Sequence, residues 1–178
     1  MRVAGRRKRN GRSVVQDPQP DPKGSRPDFP EGYRIRSDEK GLVAWKDVVA
    51  KLEKAKNYWI CSTRPDGRPH AMPVWGAWAN GVVCFGTDRT SRKARNLVAN
   101  PAVSVHLDSG DDVVIIEGRV REITDKREMS AADAAYAKKY KMKLSDAPGD
   151  SCFFAVVPRV VFAWHERNFA DSPTRWRF

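Results

Sequence analysis

The chain has 178 residues, 40% of them hydrophobic, and 33 Lys plus Arg against 22 Asp plus Glu give it a formal net charge of +11. That length suits one domain with a tail. No apolar run reaches the roughly 18 residues of a membrane span, and no apolar segment follows the basic start MRVAGRRKRNGR, so neither a membrane segment nor a cleavable signal is expected. Residues 1–27 contain eight Lys or Arg and two acids, a net of +6 that leaves +5 for the rest. They also hold Pro18, Pro20, Pro22 and Pro27 and almost nothing that buries surface, which predicts a disordered basic tail over 1–27. Such a tail is either a solvated extension or a weak nucleic-acid contact driven by counterion release. The ordered domain is expected over 28–178.

From Trp45 onward Val48, Val49, Leu52 and Ala55 recur at helical spacing with Lys46, Lys51, Lys54 and Lys56 opposite, an amphipathic helix. Tyr58–Thr63, Pro69–Trp78 and Val82–Thr87 read as three strands joined by the turns Pro65-Asp66-Gly67 and Asn80-Gly81, an antiparallel meander. A short helix over Arg92–Ala99 opens at Thr90 or Ser91 and stops at Asn100-Pro101. Ala102–Asp108 and Asp112–Thr124 alternate as two further strands, expected to be the long central ones. A helix over Lys126–Lys141 has Asp125 as its cap and Glu128 three residues on. After a loop over 143–150, Cys152–Val157 and Arg159–Trp164 read as two strands bent at Pro158, and a polar tail ends in TRWRF. Six or seven antiparallel strands in so few residues cannot form a doubly wound parallel sheet; the fold class is mainly β with helices, an antiparallel split β-barrel.

Cys61, Cys84 and Cys152 stand far apart in apolar stretches with no C-x-x-C spacing, so they read as reduced, buried side chains of a cytoplasmic protein, not as metal ligands. The chain has no Walker loop, no H-E-x-x-H and no Ser-His-Asp order. Its three histidines, His70, His106 and His165, have no nucleophile or metal partner beside them and read as surface or hydrogen-bonded residues. Chemistry concentrates in Phe85-Gly86-Thr87-Asp88-Arg89-Thr90-Ser91-Arg92-Lys93, where a strand delivers hydroxyls and cations to the start of a helix. Free amides and the positive end of the helix dipole favour a phosphate there, with Thr87, Ser91, Arg92 and Lys93 as the side chains that would hold it. An ordinary basic helix with Ser91 as its cap has the same pattern.

These segments resemble the flavin-binding split barrels related to pyridoxamine 5′-phosphate oxidase, in particular their actinobacterial deazaflavin-dependent branch. The resemblance covers most of 30–178. It is carried by SRKARNL followed by NPAVSVHLD, preceded by RPDGRPHAMPVW, followed by DDVVIIEGRV and closed by TRWRF, five motifs in the family's order. It implies a homodimer with cofactor sites at the subunit interface and the phosphate on Thr87, Ser91, Arg92 and Lys93. It also implies that the strand Met72-Pro73-Val74-Trp75 runs along the edge of the flavin or deazaflavin ring, mostly through its backbone. Trp75 and Trp78 read equally as ring contacts and as barrel-core aromatics; Asn96 reads as a cap or brace of the turn and not as a ligand contact.

No arginine-rich C-terminal pattern for pyridoxal phosphate is present, which argues against vitamin B6 oxidation. Between FMN and coenzyme F-420, whose tail adds a phosphodiester and glutamate carboxylates, the further cations Arg64, Arg68, Arg89 and Arg95 favour F-420. The expected function is hydride transfer by F-420, or alternatively FMN, to a small-molecule acceptor. The alternatives are a non-catalytic cofactor carrier and nucleic-acid contact through the tail.

Overall fold

The computed structural model describes residues 21–178. Seven strands, β1 (Asn57–Thr63), β2 (Pro69–Ala79), β3 (Val82–Asp88), β4 (Ala102–His106), β5 (Asp112–Glu122), β6 (Ser151–His165) and β7 (Thr174–Arg177), alternate with three α-helices, α1 (Trp45–Lys54), α2 (Arg92–Ala99) and α3 (Lys126–Tyr140). Every pairing is antiparallel, in the order β3-β2-β1-β4-β5-β6-β7. Because β6 also pairs with β3, the first six strands close into a barrel and β7 is an extra strand on β6. This is the antiparallel barrel with helices that the turn and strand pattern predicts.

The two hairpin turns follow from local chemistry. Asn80 and Gly81 both take positive φ (49° and 80°), as a two-residue hairpin with the sheet's twist requires. Between β1 and β2, Gly67 takes φ 83° while its N–H donates to the carbonyl of Arg64 at 2.9 Å. Inside the barrel, alternate residues of each strand converge: Tyr58 and Ile60, Val83 and Phe85, Val105, Ile116, Val156 and Val161 are all fully buried. Each such side chain contributes roughly 1.5–3 kcal/mol over exposure. α1 covers one end through Val48 and Leu52. α3 covers the outer face of β2 and β3, packing Ala132 and Tyr136 on Ala77, Cys84 and Ala155. Its start is fixed by Asp125, whose Oδ1 accepts from the amides of Arg127 and Glu128, both at 2.9 Å.

Four sequence expectations change. Pro158 does not divide β6, because it lies between Val156, the last residue paired with β3, and Val160, the first paired with β7. There its missing N–H interrupts neither ladder, and opposite it a register shift at Glu117/Gly118 absorbs the bend. Ala102–His106 is a five-residue strand and not one of the long ones; the long strands are β2, β5 and β6. The polar tail contains β7, with Thr174 and Trp176 buried, Arg175 half-buried and Arg177 exposed, a period-2 pattern only four residues long. The boundary at residue 27 moves back. Ser25 pairs with Arg175, Pro27 is buried, and Arg26 donates to the carbonyls of Asp38, Lys40, Asp171 and Pro173, so residues 24–27 strap the barrel. Of the expected tail, residues 1–20 lie outside the described residues.

Candidate functional site

The site follows from where β2 parts from β3. The two strands pair only from Gly76↔Phe85 to Ala79↔Val82. Beyond that pair β3 continues along β6 through Thr87↔Cys152, while β2 continues along β1 through Trp75↔Asn57, Val74↔Tyr58, Pro73↔Trp59 and Met72↔Ile60. Residues 69–75 of β2 thus keep a strand partner on one side and an open backbone edge on the other. The fork is held from outside by the end of α3. The Tyr140 hydroxyl accepts from the Gly76 amide at 3.1 Å, and Lys139 Nζ donates to the carbonyls of Ala55 (2.7 Å), Gly76 (3.0 Å) and Leu52 (3.3 Å) and to the Tyr58 hydroxyl (2.9 Å). Among the described residues no acid forms an ion pair with this ammonium, and burial, only partly opposed by the charge of Glu53, pulls it down to about 8.

At the mouth of the fork stands the start of α2. Ser91 is its N-cap: the Ser91 Oγ accepts from the Ala94 amide at 3.1 Å and lies 3.1 Å from Thr87 Oγ1, so of the two hydroxyls one hydrogen stays free to donate outward. Thr90, the other candidate cap, is tied back to Asp88, whose Oδ1 accepts from its amide and hydroxyl. The amides of Arg92 and Lys93 find no acceptor among the described residues, as the first turn of a helix leaves them. Lys93 Nζ lies 5.6 Å from the centre of the Phe85 ring, and burial lowers it to about 8. Neither Arg92 nor Lys93 has a carboxylate partner among the described residues. Asn96 is fully buried and donates to Ser62 Oγ at 3.2 Å, which braces α2 on β1.

The four accessory cations separate. Arg89 is taken by Glu122 (2.6 Å) and Arg68 by Asp66 (2.7 Å), whereas Arg64 and Arg95 are without acid partners among the described residues. Arg64 sits in the β1–β2 turn with a buried Nε that has no hydrogen-bond acceptor. His70, on β2 opposite Ser62, has an Nδ1 that is likewise buried without a partner. Burial, then the charges of Arg64, Lys93 and Arg92, hold the His70 pKa below its ordinary value. The charge coupling brings the hairpin and the start of α2 to one place, a convergence across 29 residues that local spacing does not reveal. Burial decides between the tryptophans. Trp78 is core, 6.3 Å edge-on from Trp45, whereas Trp75 is 49% exposed and stacked on Tyr140 at 4.8 Å and 7°. Met72 and Pro73 are exposed on the same limb and Val74 is buried.

A closed antiparallel barrel whose second strand forks open beside a cationic helix start is therefore on hand, and the family model described as pyridoxamine 5′-phosphate oxidase matches residues 44–165, from just before α1 to the end of β6. The chain belongs to the pyridoxamine 5′-phosphate oxidase family. Among solved structures of this barrel, it is similar to a conserved hypothetical protein from Mycobacterium tuberculosis (20% identity, 75% of this chain and 90% of that one, TM-score 0.62). It is also similar to a protein described as an F420 reductase (25% identity, 63% and 93%, TM-score 0.51) and to HutZ, the heme storage protein from Vibrio cholerae (14% identity, 66% and 92%, TM-score 0.57). No curated protein sequence matches it. In a pyridoxamine 5′-phosphate oxidase-like barrel, β7 and residues 24–27 lie outside the segment that the family model spans. No helix among the described residues is long and apolar enough to cross a membrane.

Proposed function

We propose that this chain is an oxidoreductase that binds coenzyme F-420, with FMN as the alternative, in the cleft between the open edge of β2 and the start of α2, and serves hydride transfer to a small organic acceptor. The observation that carries the reading is the set of cations at the fork, Arg64, Arg92 and Lys93, none paired with an acid among the described residues, with Arg64 Nε and His70 Nδ1 buried and unsatisfied beside them. An uncompensated cluster of this kind is stabilised by an anion, and the free amides at the start of α2 supply donors for a phosphate group. The residues present thus fit a phosphorylated cofactor. When bound, the cofactor supplies the hydride chemistry itself.

What the chain contributes is placement. Lys93, Arg92, Ser91 and Thr87 would hold the phosphate by charge and hydroxyl donation. The β2 edge over Met72, Pro73, Val74 and Trp75 offers unpaired backbone groups to the polar rim of a flat ring system, and Lys139 and Tyr140 keep that edge open by fastening Gly76 to α3. Met72 and Trp75, 47% and 49% exposed, are large apolar side chains on the same limb. A second copy of the chain would cover them, which supports a homodimer with its cofactor sites at the interface. Arg64 and Arg95, left without acids, favour F-420 and its carboxylate-bearing tail over FMN.

Equilibrium titration with each cofactor tests the reading: F-420 should bind at low-micromolar concentration or below, and tight FMN binding with no F-420 binding would reverse the choice. Turnover with a reduced cofactor and an acceptor panel separates an oxidoreductase from a carrier. Removal of residues 1–20, which leaves the Arg26 strap in place, separates any nucleic-acid contact of the basic tail from the cleft.

A further inference from the structure

Two of the three histidines have partners that explain them. His106 Nδ1 lies 2.9 Å from the Leu107 carbonyl with its ring stacked on Trp59, and His165 Nδ1 lies 2.7 Å from Asp112 Oδ1. His70 has neither a carboxylate nor a carbonyl: its Nδ1 is sealed from water and unsatisfied. On β2 it stands opposite Ser62, the β1 residue that holds Asn96 of α2, the helix that carries the anion donors. Among the described residues the charged groups that act on it are Arg64 from the β1–β2 turn and Lys93 and Arg92 from α2, three cations and no acid. Burial and the repulsion of three positive charges favour the neutral form of the imidazole when the cleft is empty of anions. A bound phosphoryl-class anion reverses the sign of the local field and gives a protonated His70 a partner for its unsatisfied nitrogen.

We propose that His70 is a proton-linked ligand of the anion site, taking up a proton when a phosphoryl-class anion binds at Ser91, Arg92 and Lys93. The proposal rests on the reading of the cleft as an anion site. It predicts tighter anion binding at lower pH. Linkage limits the effect to about tenfold in affinity per pH unit for one proton taken up.

The test is calorimetric titration of the full chain with inorganic sulfate and with FMN between pH 5 and 7, in buffers of different ionisation enthalpy, beside His70→Gln. That window lies below the titration of Lys93, near 8, so the lysine adds no slope. Sulfate has no titrating proton of its own in it, and the FMN monoester's second ionisation, near 6, is common to both proteins and cancels. With sulfate the wild type should show proton uptake on binding and an affinity that falls with rising pH, and His70→Gln should lose both; with FMN the wild type should take up more protons than His70→Gln. Superimposable profiles for the two proteins would overturn the proposal while leaving the anion site standing. Failure of sulfate, FMN and F-420 to bind at all would overturn the anion site and the proposal together. Should the variant not fold, the His70 ring resonance of the wild type gives the answer: its titration midpoint should move upward on adding sulfate, and an unmoved midpoint overturns the proposal.

Discussion

Replacing Lys93 by methionine separates binding from stability in a way that an ordinary surface lysine does not. The side chain is partly buried beside Phe85, has no carboxylate partner among the described residues, and titrates near 8 where an unperturbed lysine titrates at 10.5. At full burial that displacement corresponds to about 3 kcal/mol against folding, and since the ammonium keeps some solvent contact about 1–2 kcal/mol is expected. Methionine keeps the stem's packing, removes this penalty, and forfeits a cation–π contact of about 0.5–1 kcal/mol. Lys93→Met should therefore fold with unchanged or slightly raised stability. On the proposed assignment the same change deletes one charge-assisted hydrogen bond to a phosphate, about 1.5–3 kcal/mol, or roughly 10- to 150-fold in affinity. Fluorescence titration with F-420 and FMN at low and high salt, beside denaturant unfolding, reads both quantities. Unchanged affinity would refute the phosphate assignment; a stability loss above about 1 kcal/mol would refute the claim that Lys93 is held at a cost for function.

Other expected outcomes follow from the same structure. Stability should rise from about pH 7.5 to 10.5, because Lys93 and Lys139, depressed to about 8, release their protons in the folded state before the unfolded chain releases them at 10.5. The rise should slow above about pH 9, where the unfolded chain ionises Cys84, which burial pushes up to about 12 in the folded protein, and turn to a fall once the unfolded lysines have lost their protons too; denaturant midpoints across the range check the curve. Gly118→Ala would put a Cβ 2.3 Å from the Val157 carbonyl oxygen, at the point where β6 changes partners, and should cost about 2–4 kcal/mol in thermal unfolding. Arg26→Ala removes four donations to carbonyls on two segments and should cost about 2 kcal/mol and open residues 24–41 to limited proteolysis. Lys139→Met strips donors from three carbonyls around the fork, so it should lower both the melting temperature and cofactor affinity, whereas Lys93→Met lowers affinity alone.

What could be read in the sequence is what chain neighbours decide. Asn80-Gly81 declares its hairpin, Asp125 its cap, and Ser91 the turn that faces Thr87, because each rests on contacts within about four residues. What could not be read depends on partners far along the chain. Pro158 looks like a break until Gly118 and the handover from β3 to β7 are seen beside it. Arg26 belongs to a basic, proline-rich stretch whose composition says disorder, yet carbonyls near residues 40 and 171 hold it. Arg89 and Arg68 look as free as Arg64 in the sequence, and only the fold brings Glu122 to the first and turns Asp66 onto the second. Trp176 was hidden by a terminal strand of four residues whose neighbours are arginines, although it is among the largest fully buried side chains.

The central claim is that the cleft between the β2 edge and the start of α2 binds a phosphorylated deazaflavin or flavin. Parallel equilibrium titrations of one preparation of the full chain with F-420 and with FMN test it most directly. Saturable, salt-sensitive binding at low-micromolar concentration or below is expected, tighter for F-420 and weakened by Lys93→Met. Absence of saturable binding by either cofactor, or binding indifferent to Lys93 and to salt, would contradict it.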